Sequence, residues 1–238
     1  TSNRCMWGSS WHTASVKPRE MIGTARIPGH KDELRCYHHD GSYEVWVGHT
    51  ELMSTRVFGS EEVLAELAIE RLGHRKAPRI LIGGLGMGFT LARTLALVAD
   101  RASVDVAELV PEIVTWNEEL FGHCAGYPLK DPRAKLILGD VRELIEHSAD
   151  TYDVILLDVD NGPEGLSRPG NDSLYNKAGL KMIRTALRQD GVLAVWSSGD
   201  HAKFNARIRA ERFSVELRHV KARRTKGARR AIWTAKRI

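Results

Sequence analysis

The spacing of hydrophobic and polar positions changes near residue 60. Between residues 20 and 53, apolar residues alternate with polar ones in short runs that are separated by turn-forming residues. Alternation with a period of two is typical of strands that bury one face. The pattern predicts a small antiparallel β-unit built from the runs MIGTARI, ELRCYHH, YEVWVG and TELMS.

The next segment, GSEEVLAELAIERLG at residues 59–73, has apolar residues at helical spacing. It predicts a helix with Ser60 as the N-cap, because serine is a favoured residue there. Gly73 is the predicted stop, since glycine readily ends helices.

From Arg79 onward, continuous apolar runs alternate with helical patterns. Such runs are typical of strands buried on both faces of a mostly parallel sheet. The predicted strands are RILIG, SVDVAEL, AKLILGD, YDVILLD and GVLAVWSS, followed by an antiparallel closing pair, FSVELRHV and RRAIWTA. The predicted helices cover residues 87–98, 111–121, 141–147, 175–188 and 201–210.

These elements predict an α/β, Rossmann-like fold whose sheet has seven strands, the last of them antiparallel. The expected organisation is a flexible segment at residues 1–18, the β-unit at 19–58 and the main domain at 59–238. The chain has 238 residues, of which 42% are hydrophobic, which suffices for one sizeable core.

Composition excludes several classes of protein. No apolar run approaches the roughly 20 residues of a membrane helix, and no signal pattern is seen, so no membrane partner is expected. The three cysteines form no CxxC pair, which argues against a metal site. These features predict a reduced, cytoplasmic protein.

Charge is unevenly distributed along the chain. The net charge is +5, yet nine Lys and Arg residues and no acid follow from Arg218 to the end. We interpret this segment as an edge strand protected by charge. Contact with a nucleic acid or an anionic substrate is the alternative; we do not expect a nucleic-acid partner.

A glycine-rich turn after the first predicted parallel strand marks a ligand site, because helix N-termini at such turns bind anionic or polar groups. Its glycines are Gly83, Gly84, Gly86 and Gly88. A phosphate-binding P-loop is excluded, since no Lys-Ser or Lys-Thr pair follows the turn. The dinucleotide fingerprint GxGxxG also fits poorly, because its third glycine would fall on a phenylalanine.

Three further predicted strands end in a carboxylate. In an open α/β sheet the ligand lies beyond these carboxyl ends. Glu108 is placed to accept the ribose hydroxyls of a nucleoside, and Asp140, after Gly139, to accept an adenine amino group. Asp158 ends the fourth strand. For each carboxylate alone, capping of the next helix is the structural alternative.

At this point the sequence resembles a known family. The segments ILIGGLGMG, VAELVPEIVTWNEELF, DPRAKLILGDVRELI, YDVILLDVDNGPEG, SLYNKAGLKMIRTAL and DGVLAVWS are similar, in order and spacing, to the spermidine synthase-like branch of the class I S-adenosylmethionine (SAM)-dependent methyltransferase superfamily. The resemblance covers roughly residues 34–200. It implies SAM or decarboxylated SAM as cofactor, with Glu108 on the ribose, Asp140 on the adenine and Asp158 as catalytic acid or base. Dimers are common among relatives, so a homodimer is one expectation.

The chain also departs from the aminopropyltransferase pattern of that family. Gly86 stands where these enzymes carry an aspartate. The run Asp158-Val159-Asp160-Asn161 replaces their Asp-Ser-Ser-Asp, and residues 56–60 replace an Asp-Glu-x-x-Tyr segment. Because a polyamine needs several carboxylates to offset its desolvation, these departures favour intact SAM and methyl transfer to a small amine or amino-acid-like acceptor.

Three alternatives remain open: aminopropyl transfer from decarboxylated SAM, a nucleic-acid methyltransferase, and a non-catalytic SAM-binding protein. Asp158 and Asp160 are the candidate bases, although Asp160 alternatively forms a turn with the residues that follow. Arg168 and Arg56 are candidates for binding a carboxylate.

Glu61 and Asn161 are further candidates on the acceptor side. For Glu61, the favourable position of an acid at a helix N-terminus is the simpler explanation. Trp116 and Trp196 are interpreted as core residues, and no metal site is predicted.

Overall fold

The computed structural model describes residues 18–29, 31–159, 162–163 and 172–238. The first part is a four-stranded antiparallel sheet with strands in chain order. Its strands are β1 (Glu20–Arg26), β2 (Glu33–His39), β3 (Ser42–Val47) and β4 (Thr50–Ser54). The predicted β-unit is confirmed. The segment predicted as flexible lies outside the described residues except for Pro18.

Helix α1 (Gly59–Leu72) follows as predicted and ends at Gly73, whose φ of 74° lies in the left-handed region. The predicted N-cap is wrong. Phe58 occupies the N-cap position without a side-chain cap, and the Ser60 hydroxyl donates to the Glu61 carboxylate at 2.8 Å. Ser60 therefore orients a side chain instead of capping the backbone.

The large sheet has the strand order β10-β11-β9-β8-β5-β6-β7. Its strands are β5 (Arg79–Gly83), β6 (Ser103–Glu108), β7 (Ala134–Leu138), β8 (Tyr152–Leu157), β9 (Leu187–Ser197), β10 (Phe213–Lys221) and β11 (Arg229–Arg237). Strands β5 to β9 pair in parallel, while β11 is antiparallel to both β9 and β10. The predicted seven-stranded, mostly parallel sheet with an antiparallel last strand is confirmed.

The remaining helices are α2 (Phe89–Leu97), α3 (Pro111–Trp116), α4 (Val141–Glu146), α5 (Asp172–Tyr175), α6 (Lys177–Ala186) and α7 (Ala202–Ala210). Two predicted helices differ in detail. The helix predicted at 111–121 continues beyond α3 as a π-helical turn, Asn117–Phe121. The helix predicted at 175–188 ends at Ala186, because the residues that follow belong to β9, where Leu187 pairs with Tyr152.

The core has one cluster on each face of the large sheet, because neighbouring residues of a strand point to opposite faces. Ile80 and Ile82 of β5 belong to the cluster that also contains α1, α2 and the small sheet, whereas Leu81 belongs to the cluster under α4, α6 and α7. The division at residue 58 stays a prediction, since both proposed units share one cluster. In the part of the chain that the structure describes, no helix has the length and apolar character needed to cross a membrane.

Candidate active site

A cavity opens at the carboxyl ends of β5, β6, β7 and β8. The residues that line this cavity include the glycine turn, Glu108, Asp140 and Asp158. The carboxyl ends of parallel strands meet at one edge of the sheet. This topology therefore brings together the groups predicted from three separate strand ends.

The glycine turn approaches the end of β8 very closely. Gly84, Gly86 and Gly88 have φ angles of 89°, 52° and 86°, which favour glycine. A Cβ on Gly84 would lie 2.4 Å from the carbonyl oxygen of Asp158. A side chain at this position would push the turn away from the carboxylate that follows β8.

Gly83 and Gly86 contribute to the same region in different ways. A Cβ on Gly83 would meet Val141 Cγ2 at 2.9 Å, so glycine allows α4 to pack against the turn. A Cβ on Gly86 would meet only Met53 Sδ, at 3.5 Å, an ordinary contact. A Cβ on Gly88 would lie 3.0 Å from Pro128 Cγ. Three of the four predicted glycines are therefore crowded, and Gly86 is constrained mainly by its φ angle.

Glu108 supports the turn as well as facing the cavity. Its two carboxylate oxygens accept hydrogen bonds from the backbone N–H groups of Leu85, at 3.0 Å, and Val110, at 2.9 Å. Burial raises the pKa of Glu108, while these backbone donors counteract the rise. Glu108 also lines the cavity, where a ribose is predicted.

Asp140 caps a helix and also lies at the cavity. Its Oδ1 accepts from the backbone N–H of Arg142 at 2.9 Å, so it caps α4. Asp140 also lines the cavity beside Gly139. Capping and ligand contact are therefore compatible, and the predicted contact with adenine stays a prediction.

Asp158 is held by a residue that the sequence analysis did not assign to the site. Thr90 of α2 donates from Oγ1 to Asp158 Oδ2 at 2.6 Å. Burial nevertheless raises the pKa of Asp158 to about 6. Thr90 lies two residues after the last glycine of the turn, and this position was the sequence feature from which its place in the site could have been predicted.

Glu61 enters the same cavity from α1. Burial and the nearby charge of Asp158 raise the pKa of Glu61 to about 8, while the Ser60 hydroxyl and the charge of Arg230 oppose this rise. Burial and mutual repulsion therefore favour a proton on this pair at pH values where isolated carboxyl groups are ionised. Such a pair favours a cationic ligand, whose charge replaces the proton.

The other predicted site residues lie elsewhere. Arg56 is not among the residues that line the cavity; its guanidinium donates to the carbonyl oxygens of Asp40, at 2.8 Å, and His39, at 3.3 Å. Its predicted contact with a substrate carboxylate therefore has no support from this placement. The candidates Asp160, Asn161 and Arg168 lie outside the described residues.

The small sheet supplies an apolar wall that the sequence analysis missed. Leu34, Leu52 and Met53 line the cavity, as does Trp196, which was interpreted only as core. The alternating pattern indicated which faces of these strands are buried, but it carried no signal of what they face. In the described part of the chain, no cluster of three or more His, Cys, Asp or Glu side chains could hold a metal ion.

Comparisons with a family model and with curated proteins indicate the same family. Residues 58–216 match the family described as the spermine/spermidine synthase domain. The chain is 33% identical over 142 residues to polyamine aminopropyltransferase 2 of Pseudomonas aeruginosa, covering 57% of this chain and 38% of that protein. It is 30% identical over 123 residues to polyamine aminopropyltransferase of Korarchaeum cryptofilum, covering 52% and 36%. The matches therefore span well under half the length of these relatives.

The fold has close counterparts among solved structures. Spermidine synthase from Thermotoga maritima superposes with a TM-score of 0.71 at 16% identity, covering 92% of this chain and 73% of that one. At 16% sequence identity this structural similarity supports the fold alone. The fold is the predicted α/β, Rossmann-like one.

These relatives overturn one expectation from the sequence. We expected methyl transfer from intact SAM, chiefly because Gly86 lacks an acidic side chain. That expectation is wrong, since the curated relatives are aminopropyltransferases, which was the alternative. Its physical basis was incomplete, because Glu61 and Asp158 bring two carboxylates into the cavity from distant segments. The chain belongs to the spermine/spermidine synthase domain family.

Proposed function

We propose that the chain transfers an aminopropyl group from decarboxylated SAM to a small amine. The observation that carries this proposal is the position of Asp158, which lies at the cavity edge, is bound by Thr90 and has a pKa raised to about 6. The family match and the curated relatives support the type of reaction.

The proposed donor fits the charges along the sheet edge. Glu108 and Asp140, at the ends of β6 and β7, are proposed to hold the ribose and the adenine. The sulfonium would then lie over the glycine turn, near Asp158. Decarboxylated SAM carries only positive charges in this part of the molecule, so carboxylates stabilise it without opposing a negative group.

The chemistry is an in-line displacement. The amine nitrogen attacks the aminopropyl methylene carbon that is attached to the sulfonium sulfur. A C–N bond forms, and the bond between this carbon and sulfur breaks. Sulfur keeps the electron pair and leaves as the neutral thioether of methylthioadenosine. The nitrogen loses its proton to Asp158, whose raised pKa makes it a competent acceptor. Thr90 fixes the carboxylate, so the protein contributes mainly positioning and proton removal.

The test is product formation. The protein is incubated with decarboxylated SAM and each of 1,4-diaminobutane, n-butylamine and 4-aminobutyrate. Methylthioadenosine is then measured by chromatography and the aminopropylated amine by mass spectrometry. We expect turnover with at least one amine. Asp158→Asn should lower that turnover by about 10²-fold.

The matched control is Asp150→Asn, since Asp150 lies at an exposed turn and its variant should keep full turnover. Absence of methylthioadenosine with every amine contradicts the proposed function. Full activity of the Asp158→Asn variant contradicts the assignment of the base.

A further inference from the structure

Three glutamates of α1 have different surroundings. Glu62 accepts from Arg224 Nε at 2.8 Å, and Glu66 accepts from Arg224 Nη2 at 2.6 Å. Glu61 instead lines the cavity, and the Ser60 hydroxyl donates to it. Of the four glutamates of α1, two therefore bind Arg224 and Glu61 lines the cavity.

Two packing contacts hold the start of α1 in place. Phe58 stacks on Phe89 with ring centroids 4.0 Å apart and planes inclined by 9°. A Cβ on Gly59 would lie 2.6 Å from the backbone nitrogen of Arg224, so the helix start packs directly against the turn between β10 and β11. These contacts leave little freedom in the position from which Glu61 extends.

Thr90 lies between Glu61 and the end of β8. Thr90 Oγ1, which donates to Asp158, lies 3.5 Å from the backbone carbonyl oxygen of Glu61. The charge of Asp158 is also among the causes of the raised pKa of Glu61. Glu61 and Asp158 therefore face one small region beside the glycine turn.

The other acids of the cavity have different partners. Glu108 and Asp140 accept backbone N–H groups at the β6 and β7 side, and Asp158 is the proposed base. Gly86 places no acid in the turn. Among the described residues of the cavity, Glu61 is the remaining carboxylate that could pair with a cationic group of the donor.

We infer that Glu61 binds the aminopropyl ammonium of the donor and thereby selects decarboxylated SAM over intact SAM. An ammonium beside Glu61 forms a charge-assisted hydrogen bond. The carboxylate of intact SAM at the same place would be repelled by the negative charge of the Glu61–Asp158 pair. The inference rests on the proposed function and assigns the donor specificity of that same site.

The test compares three nucleosides that differ only in this part of the molecule. Dissociation constants are measured by calorimetry for decarboxylated SAM, SAM and methylthioadenosine, which lacks both the aminopropyl group and the sulfonium charge. The proteins are the wild type, Glu61→Gln and the matched control Glu62→Gln. Glu62 lies next to Glu61 on α1 but binds Arg224. Thermal denaturation checks that each variant folds, and Glu61→Asp provides a second variant that retains the charge.

We expect Glu61→Gln to weaken the binding of decarboxylated SAM about tenfold or more. The affinity for methylthioadenosine should stay unchanged. The preference for decarboxylated SAM over SAM should shrink accordingly. Glu62→Gln should leave all ratios unchanged, and Glu61→Asp should retain part of the preference.

Two results overturn the inference while leaving the proposed function standing. One is an equal loss of affinity for decarboxylated SAM and methylthioadenosine in Glu61→Gln, which indicates a structural role. The other is an unchanged preference for decarboxylated SAM in that variant. If the wild type binds neither decarboxylated SAM nor methylthioadenosine, the proposed function fails as well, and the inference fails with it.

Discussion

At the scale of single residues, the four acids of the cavity differ in what surrounds each carboxylate. Glu108 and Asp140 accept hydrogen bonds from backbone N–H groups. Asp158 and Glu61 each receive a single hydroxyl donor and are crowded together. Glu108 and Asp140 are therefore suited to bind neutral hydroxyl and amino groups. Asp158 and Glu61 are suited to release a proton when a cation binds beside them.

This difference predicts how stability depends on pH. The folded-state pKa values of Glu61 and Asp158 are raised, to about 8 and about 6. Between the normal carboxyl pKa and these values, the folded state binds more protons than the unfolded state. The stabilising effect of this pair is therefore full at low pH and is lost as the pH rises through about 6 to 8.

Glu61→Gln removes the group with the larger shift. We expect this variant to melt a few degrees above the wild type at pH 9 and to differ little at pH 5. Glu62→Gln is the control, because Glu62 is paired with Arg224, and it should not gain stability at pH 9. Parallel melting profiles of wild type and Glu61→Gln across this pH range would contradict the buried, proton-sharing pair.

At the scale of elements, the site depends on how closely the glycine turn approaches β8. The turn is also held from the other side, where Asn117 Nδ2 donates to the carbonyl oxygen of Gly86 at 2.7 Å. Asn117 begins the π-helical turn that extends α3. Insertions of this kind are frequent at functional sites, and here the turn places a side-chain amide on the glycine backbone.

Gly84→Ala tests the close approach. Its φ of 89° and the 2.4 Å separation from the carbonyl oxygen of Asp158 predict a loss of stability of about 3 kcal/mol or more, from backbone strain and a steric clash together. Gly41→Ala is the matched control, since Gly41 has a φ of 72° and an added Cβ would meet nothing within 4 Å. It should lose only the strain component, about 1–2 kcal/mol.

Urea unfolding monitored by circular dichroism measures both variants. Equal losses in Gly84→Ala and Gly41→Ala would show that the turn can move away from β8 without cost. In that case the position of Asp158 would not depend on the glycine.

At the scale of the whole molecule, the basic C-terminal segment has a structural role. β10 forms one edge of the large sheet, as the charge pattern predicted. Arg224, in the turn between β10 and β11, bridges Glu62 and Glu66 of α1. The turn at the sheet edge is thereby attached to the helix that carries Glu61, far away in the chain.

Arg224→Gln should therefore destabilise the protein by about 1 kcal/mol, since both ion pairs are partly exposed and such pairs contribute modestly. It should also weaken binding of decarboxylated SAM slightly, because the start of α1 is less restrained. Lys226→Gln, an exposed residue of the same turn, is the control and should change neither quantity. Stability is measured by urea unfolding at low and high salt, and the difference should diminish at high salt. A neutral Arg224→Gln variant would contradict the attachment.

The sequence by itself determined the elements and the groups at the ends of the strands. Periods of 2 and 3.6 residues reflect local geometry, so the strands of both sheets and most helices could be predicted. Glu108, Asp140 and Asp158 could be placed together, because parallel strands end at one edge. The misplaced N-cap at Ser60 and the strand residues after Ala186 show the limit, since partners elsewhere in the chain decide such boundaries.

Only the tertiary structure decided which side chains face the cavity. Arg56 is turned towards the β2–β3 turn, and Trp196 lines the cavity. Glu61 approaches Asp158 because α1 packs against α2, β9 and β8. The acids that are absent from the family pattern, chiefly at Gly86, pointed to the wrong reaction, since the charge of a cavity is a sum over groups from distant segments. Electrostatic interactions act through space, so their sum is set by the packing of α1 on the sheet and cannot be obtained from one motif.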